Sequence, residues 1–264
     1  MRYLARVQYD GTSYFGWQIQ PNAKSVEEEI EKALSQILNT ETKIVGSGRT
    51  DAGVHALGQT FHFDVEKQIK NLGKFKYSLN SILPGDIFIS SIKRVNDVFH
   101  ARYNVKEKTY IYYLNMGEYD LFSRHYQTQF RRELDVKKMK EVIKVFEGKH
   151  CFQNFTTKKE DQDGFIRTIK SAKISQKGKL IKFTFIGDGF MRYMVRLIVG
   201  TLIEVGLGKI NKNDVEKLLN LSERNIVSWK ANPEGLYLAK VKYWKPLCWD
   251  IKLEVYNIKA SKRR

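Results

Sequence analysis

Strand-like alternation and helix-like apolar stripes follow one another twice along this chain, and that order limits the fold more than any other feature. Tyr3, Ala5, Val7 and Tyr9 alternate with Leu4, Arg6, Gln8 and Asp10, the period of a half-buried strand. Asp10-Gly11-Thr12 turns the chain, and an aromatic stretch from Tyr14 to Pro21 follows. Ser25-Val26-Glu27-Glu28 fits a capping box, and Val26, Ile30, Ala33, Leu34, Ile37 and Leu38 then form one helical stripe. Lys43-Ile44-Val45 and Gln59 to Val65 read as strands around a glycine-rich connection. Phe61, Phe63 and Val65 share one face of the second strand, which places His62 on the other, where a solvated histidine is expected. Gln68 to Ile82 predicts a helix ending near Leu83-Pro84-Gly85, and Ile87 to Val95 predicts a strand.

A similar order then returns. Lys108 to Asn115 is a strand that interleaves cations with aromatics, and Asp135 caps a helix carrying Val136, Met139, Val142, Ile143 and Phe146. Arg167 to Ser175 and Leu180 to Ile186 form a hairpin about Gln176-Lys177-Gly178-Lys179. Gly187-Asp188-Gly189 precedes a helix with Met191, Met194, Val195, Ile198, Leu202 and Val205 on its apolar side. A short helix begins near Asn213, and Leu236 to Tyr243 is a last strand. Mixed order with a hairpin and long insertions predicts an α+β fold, with helices packed on one side of a largely antiparallel sheet. At 264 residues and 42% hydrophobic content, the chain can bury one large core or two smaller ones.

Charge narrows the partner. Lys and Arg number 46 against 29 Asp and Glu, a formal net charge of +17. Such a surplus suits a polyanion, whose phosphates release condensed counterions when neutralised. By itself the charge fits an RNA-binding protein without chemistry as well as an enzyme. Cys151 and Cys248 make neither a disulfide framework nor a metal spacing. The N-terminal residues lack an apolar signal core, and no stretch reaches the roughly 18–20 apolar residues of a membrane span. The expectation is a soluble cytoplasmic protein without metal. Gly46-x-Gly48 is only a fragment of a dinucleotide fingerprint and no Walker lysine follows, so no nucleotide cofactor is expected.

The connection Gly46-Ser47-Gly48-Arg49-Thr50-Asp51-Ala52-Gly53-Val54-His55-Ala56 is the candidate site. Glycines let a backbone turn sharply and let another molecule come close. Asp51 can serve as nucleophile, base, half of a salt bridge or a turn cap, and Arg49 can bind a phosphate or pair with Asp51. Tyr110 can stack on a base, move a proton or fill the sheet face. Arg192 and Arg196 lie four apart on one helix face. An exposed helix end accounts for Arg192, whereas Arg196, deeper in an apolar segment, needs an acid or a phosphate.

These residues fall within a longer series. Tyr9-Asp10-Gly11-Thr12, Gly16-Trp17-Gln18, the loop from Gly48 to Ala56 with Gly58-Gln59, Leu79-Asn80 through Asp86-Ile87, Phe99-His100-Ala101-Arg102, Gly189 through Thr201, and Pro233 to Leu238 run in the order of TruA-type tRNA pseudouridine synthases, which the chain resembles from about residue 9 to 243. The resemblance implies isomerisation of uridine to pseudouridine at positions 38 to 40 of the tRNA anticodon stem-loop, by a homodimer without a cofactor. It implies Asp51 as the catalytic aspartate, acting at ribose C1′, at the uracil ring or by expelling the base as a glycal. Arg196 is its partner, and Tyr110 lies on the target base and takes the C5 proton. Arg49 enters the helix as the uridine leaves it, and Phe99, His100, Ala101, Arg102 and Tyr103 touch RNA. The implied fold is two related halves, residues 1–104 and 105–246, sharing one continuous, mostly antiparallel sheet. Helices cover one face and a basic catalytic cleft lies on the other. Two places depart from the family pattern: the polar stretch from Thr156 to Gly164, and a basic tail, 247–264, that is longer than expected.

Overall fold

The computed structural model describes residues 1–160, 164–220 and 223–244. The tail and part of the 156–164 stretch lie outside the described residues. The elements run β1 (Arg2–Tyr9), α1 (Val26–Leu38), β2 (Ile44–Gly46), β3 (His55–Asp64), α2 (Leu72–Ile82), β4 (Ile87–Arg94) and β5 (Val105–Asn115). There follow β6 (Thr128–Gln129), α3 (Val136–Val142), β7 (Gly148–Cys151), β8 (Ile166–Lys177), β9 (Leu180–Gly187), α4 (Met194–Gly206), α5 (Lys212–Asn220) and β10 (Leu236–Tyr243). No helix among the described residues is long and apolar enough to cross a membrane.

Local signals account for the helix starts. The Ser25 side chain accepts from the Glu28 N–H at 3.4 Å, while the Glu28 carboxylate pairs forward with Lys32 at 2.6 Å. Only half of the expected capping box is therefore formed by these side chains. Asn71 Oδ1 accepts from the Lys74 N–H at 2.9 Å, which explains why α2 begins at Leu72 and not near Gln68. Asp135 caps α3 through the Lys138 N–H at 3.0 Å, as its position in the sequence indicates. The 3-10 turn Ile143–Phe146 continues α3.

Among the described residues ten strands form one sheet in the order β4-β1-β3-β10-β5-β9-β8-β7, with β2 on β3 and β6 on β5. Every pairing is antiparallel except β3 with β10 and β5 with β6. The sheet is continuous because β10, last in sequence, lies beside β3 with Tyr237 opposite His55 and Leu238 opposite Ala56. One apolar cluster runs beneath the helices of both parts. It joins Tyr3, Ala5 and Val7 of β1 and Ile30 of α1 to Tyr110 and Tyr112 of β5, Phe183 and Phe185 of β9, and Met194 and Ile198 of α4. The expected mixed fold, with helices on a large, mostly antiparallel sheet, is the one observed.

The opposite face carries a smaller cluster of Leu4, Val95, Phe99 and Ala101. His62 projects there, yet it is buried and not solvated as expected. The segment after β4 folds back over it, and its Nδ1 accepts the Ala101 N–H at 3.1 Å. Burial, and then the Arg2 guanidinium, lower its pKa to about 4, so the ring is neutral.

Candidate active site

The loop between β2 and β3 is clamped from both sides. Above it, the Trp17 N–H donates to the Thr50 carbonyl at 3.1 Å and the Gly53 N–H donates to the Tyr14 carbonyl at 3.2 Å. Gly16 makes this approach possible, because its φ is +100° and a Cβ there would lie 2.5 Å from the Thr50 oxygen. The Tyr9 and Thr50 hydroxyls share a hydrogen bond of 2.8 Å. Beneath it, Gln59 of β3 takes the Ser47 hydroxyl at 2.6 Å and donates to the Gly48 carbonyl at 2.8 Å. Lys108 of β5 donates to the Ser47 carbonyl at 2.8 Å. Two strands from different ends of the sequence thus hold consecutive carbonyls of one loop.

Asp51 emerges from this clamp toward α4. Its Oδ2 lies 3.5 Å from Arg196 Nη1, with the two side chains 21% and 9% exposed. Arg196 is itself aimed by its Nε, which donates to the Ala231 carbonyl at 2.7 Å. Burial drives the Asp51 carboxyl above its ordinary pKa, against the pull of Arg196, Arg192 and Lys230. Tyr110 is buried, with its ring edge-on to Phe190 at 5.0 Å. Burial and then the Asp51 charge push its phenol above the ordinary range, so it is neutral in the free protein.

Asp51, Tyr110 and Arg196 therefore meet on the helix-bearing side of the sheet, where the loop lies between the start of α1 and the start of α4. Tyr110 points into the same apolar layer as α4, and Arg196 is carried by α4 itself. The opposite face is occupied, in its first part, by the segment that contains Phe99 and Ala101.

Arg49 is exposed and makes no ion pair with Asp51, which Arg196 takes instead. The stretch from Phe99 to Tyr103 is not gathered with Asp51, and it divides. Phe99 and Ala101 are fully buried, so their side chains offer RNA no surface. His100 Nδ1 accepts from the Arg102 and Tyr103 N–H groups at 3.2 Å, and its ring stacks on Tyr103 at 4.2 Å. Arg102 and Tyr103 are exposed, Tyr103 at 75%. Among the described residues no three His, Cys, Asp or Glu side chains gather as metal ligands.

A family model for tRNA pseudouridine synthase matches residues 5–104 and 142–244, well over half of the chain. The chain belongs to the tRNA pseudouridine synthase family. Curated relatives named tRNA pseudouridine synthase A agree with this along nearly their whole length. One from an Exiguobacterium species is 40% identical over 239 residues, covering 90% of this chain and 96% of the relative. One from Bacillus licheniformis is 39% identical, covering 92% and 99%. One from Lactococcus lactis subsp. cremoris is 42% identical, covering 92% and 97%. The chain is thus an isomerase of tRNA uridines.

Several parts of the synthase site carry little signal in the sequence. Lys108 stands out only as one cation in an aromatic strand, and Gln59 only as a residue after Gly58 in the family loop. Tyr193 and Lys230 carry none. Tyr193 enters α4 with φ +61°, and three cations gather on its ring. Lys230 Nζ lies 4.5 Å, Arg192 Cζ 4.8 Å and Arg196 Cζ 5.2 Å from the ring centroid.

Proposed function

We propose that this synthase converts uridine to pseudouridine at positions 38 to 40 of the tRNA anticodon stem-loop. It works as a cytoplasmic homodimer on which one tRNA spans both subunits. Asp51 is the catalytic group, Arg196 its charge partner, Tyr110 the residue on the target base, and Arg49 the residue that meets the vacated helix. Arg102 and Tyr103 are the members of the 99–103 stretch that present side chains to RNA. The chain reads as two halves, 1–104 and 105–246, a division supported by the separate matches at 5–104 and 142–244.

The carrying observation is the half-buried ion pair between Asp51 and Arg196, 3.5 Å long and beside Tyr110. Isomerisation breaks the bond from N1 to C1′, turns the uracil and joins C5 to C1′; C5 loses its proton and N1 gains one. The target must first leave its stack, at a cost of a few kcal/mol. An ionised carboxylate is needed to attack, and burial works against it. Arg196 offsets that cost and fixes the direction of attack. Tyr110 is a poor base while Asp51 is charged. Once Asp51 forms a covalent bond, that charge disappears, and with it one of the two causes that raise the phenol pKa.

The test is tritium release from tRNA labelled at uridine C5, followed by mapping of the modified positions. Wild-type protein is expected to release tritium and modify positions 38 to 40. Asp51→Asn is expected to fall to background while still binding tRNA. Turnover by Asp51→Asn ends the assignment of the catalytic residue, and modification confined to other positions ends the assignment of the substrate segment.

A further inference from the structure

We infer that Arg192 and Lys230, both held against the Tyr193 ring, bind the phosphates on either side of the extruded uridine. This deepens the proposed function and rests on the reading of Asp51 given there.

The argument begins with charge. Arg192, Arg196 and Lys230 all act on Asp51. Three cations thus face one carboxylate, a surplus of two positive charges at the point where a nucleotide must enter. Arg196 has its acid in Asp51 and its carbonyl in Ala231. Arg192 and Lys230 have neither. Among the described residues Arg192 donates only to the Tyr193 hydroxyl, at 3.1 Å, and Lys230 only packs on the ring. Both are exposed.

Exposed cations are usually mobile, and these two are not free to wander. The aromatic face attracts cations, most strongly where water is excluded. Tyr193 is placed for this by a left-handed backbone, which a bulky residue adopts only when its surroundings require it. The turn is fastened from outside, because the Thr156 hydroxyl donates to the Arg192 carbonyl at 3.0 Å. Lys230 is fastened by its neighbour, since the Ala231 N–H donates to the Arg196 carbonyl at 3.0 Å. Two cations are therefore preorganised beside the catalytic carboxylate, and among the described residues Asp51 alone is left to neutralise these two and Arg196. A flipped nucleotide brings two phosphodiesters, one on each side of its ribose, and so two negative charges. That matches the surplus in number, and the position matches because the ribose must come to Asp51. The guanidinium suits two-pronged contact with phosphate oxygens, while the ammonium acts as a point charge.

The experiment uses full-length protein and one tRNA substrate, with Arg192→Gln, Lys230→Gln and the double variant. Each single change is expected to flatten the salt dependence of tRNA binding by roughly 0.7–1 in the slope of log K against log salt, and the double variant by about the sum. In steady state the loss falls mainly in KM, by several-fold. Arg192→Lys keeps the charge and is expected to recover the salt slope. Thermal melting shows whether each variant is folded. Unchanged salt slopes, with a kcat loss and a displaced acid limb of the pH profile, overturn the inference and make the pair a tuner of Asp51 alone. Binding is read without turnover, so the two proposals fail separately. Inactive wild-type protein defeats the proposed function, whereas active wild type with unaltered slopes in the variants defeats only the phosphate pair.

Discussion

Arg196 divides one guanidinium between two tasks. Its Nε holds the Ala231 carbonyl at 2.7 Å, which leaves Nη1 facing Asp51 at 3.5 Å. The partial burial of both side chains makes the pair consequential, because removing one partner strands the other charge in a poor solvent. Arg196→Gln is therefore expected to raise the Asp51 pKa further above its already elevated value. In the role proposed for Asp51 the carboxylate must be ionised, so the acid limb of kcat/KM moves to higher pH, and activity at neutral pH falls. A pH–rate profile with an unmoved or lowered acid limb contradicts this. At this scale the sequence was partly legible. An arginine deep in the apolar run from Met191 to Val205 demands an anion, and that much can be read without coordinates. The residues alone offered Asp51 only Arg49, and the family resemblance supplied Arg196. Arg49 was the near one in sequence, but it points outward, and the far one took the contact.

The loop from Ser47 to Val54 shows how elements fix a site. Its two sides are held by Gly16-Trp17 and by Gln59 with Lys108, so the loop answers to three separate stretches of chain. Lys108 is half-buried, and desolvation with repulsion from Arg102 and Arg167 lowers its pKa to about 8. It donates to the Ser47 carbonyl in either charge state. Lys108→Met removes that donor and leaves the carbonyl in place, at a cost of about 1–3 kcal/mol if no water replaces it. We expect a lower melting temperature together with reduced tritium release, since the loop also carries Asp51. A variant that matches wild type in both measurements shows that the bond anchors nothing. Element positions were readable where local chemistry set them, as at the Ser25 and Asp135 caps. They shifted where tertiary contacts intervened. The strand β3 starts at His55, ahead of the alternating run from Gln59, because β10 pairs with its first residues. The helix α4 starts at Met194 and not Met191, because Tyr193 breaks into the left-handed region to serve the cation cluster.

At the scale of the molecule, the seam between β3 and β10 and the shared apolar layer join the parts that carry the site. Asp51 comes from before β3, Tyr110 from β5 and Arg196 from α4, so the proposed catalytic set draws on both sides of that seam. Trp17 packs in the first part of this layer and Trp229 against its second. Variants retaining only one of these tryptophans are expected to report the same denaturant midpoint, as a single cooperative unit should. Separate midpoints indicate that the halves unfold independently.

The sequence alone determined the fold class and the mixed strand and helix order, because period and caps are local properties of a chain. Its net charge also favoured a polyanionic partner, a property that needs no coordinates. Ordered motifs carried the family resemblance, and with it the identity of Asp51, Tyr110 and Arg196. Tertiary structure alone decided that His62 is covered, that Phe99 and Ala101 are packing residues, and that Tyr193 collects three cations. Those outcomes depend on which distant segments come to lie against one another. Contact between residues far apart in the chain leaves no periodic trace in either of them.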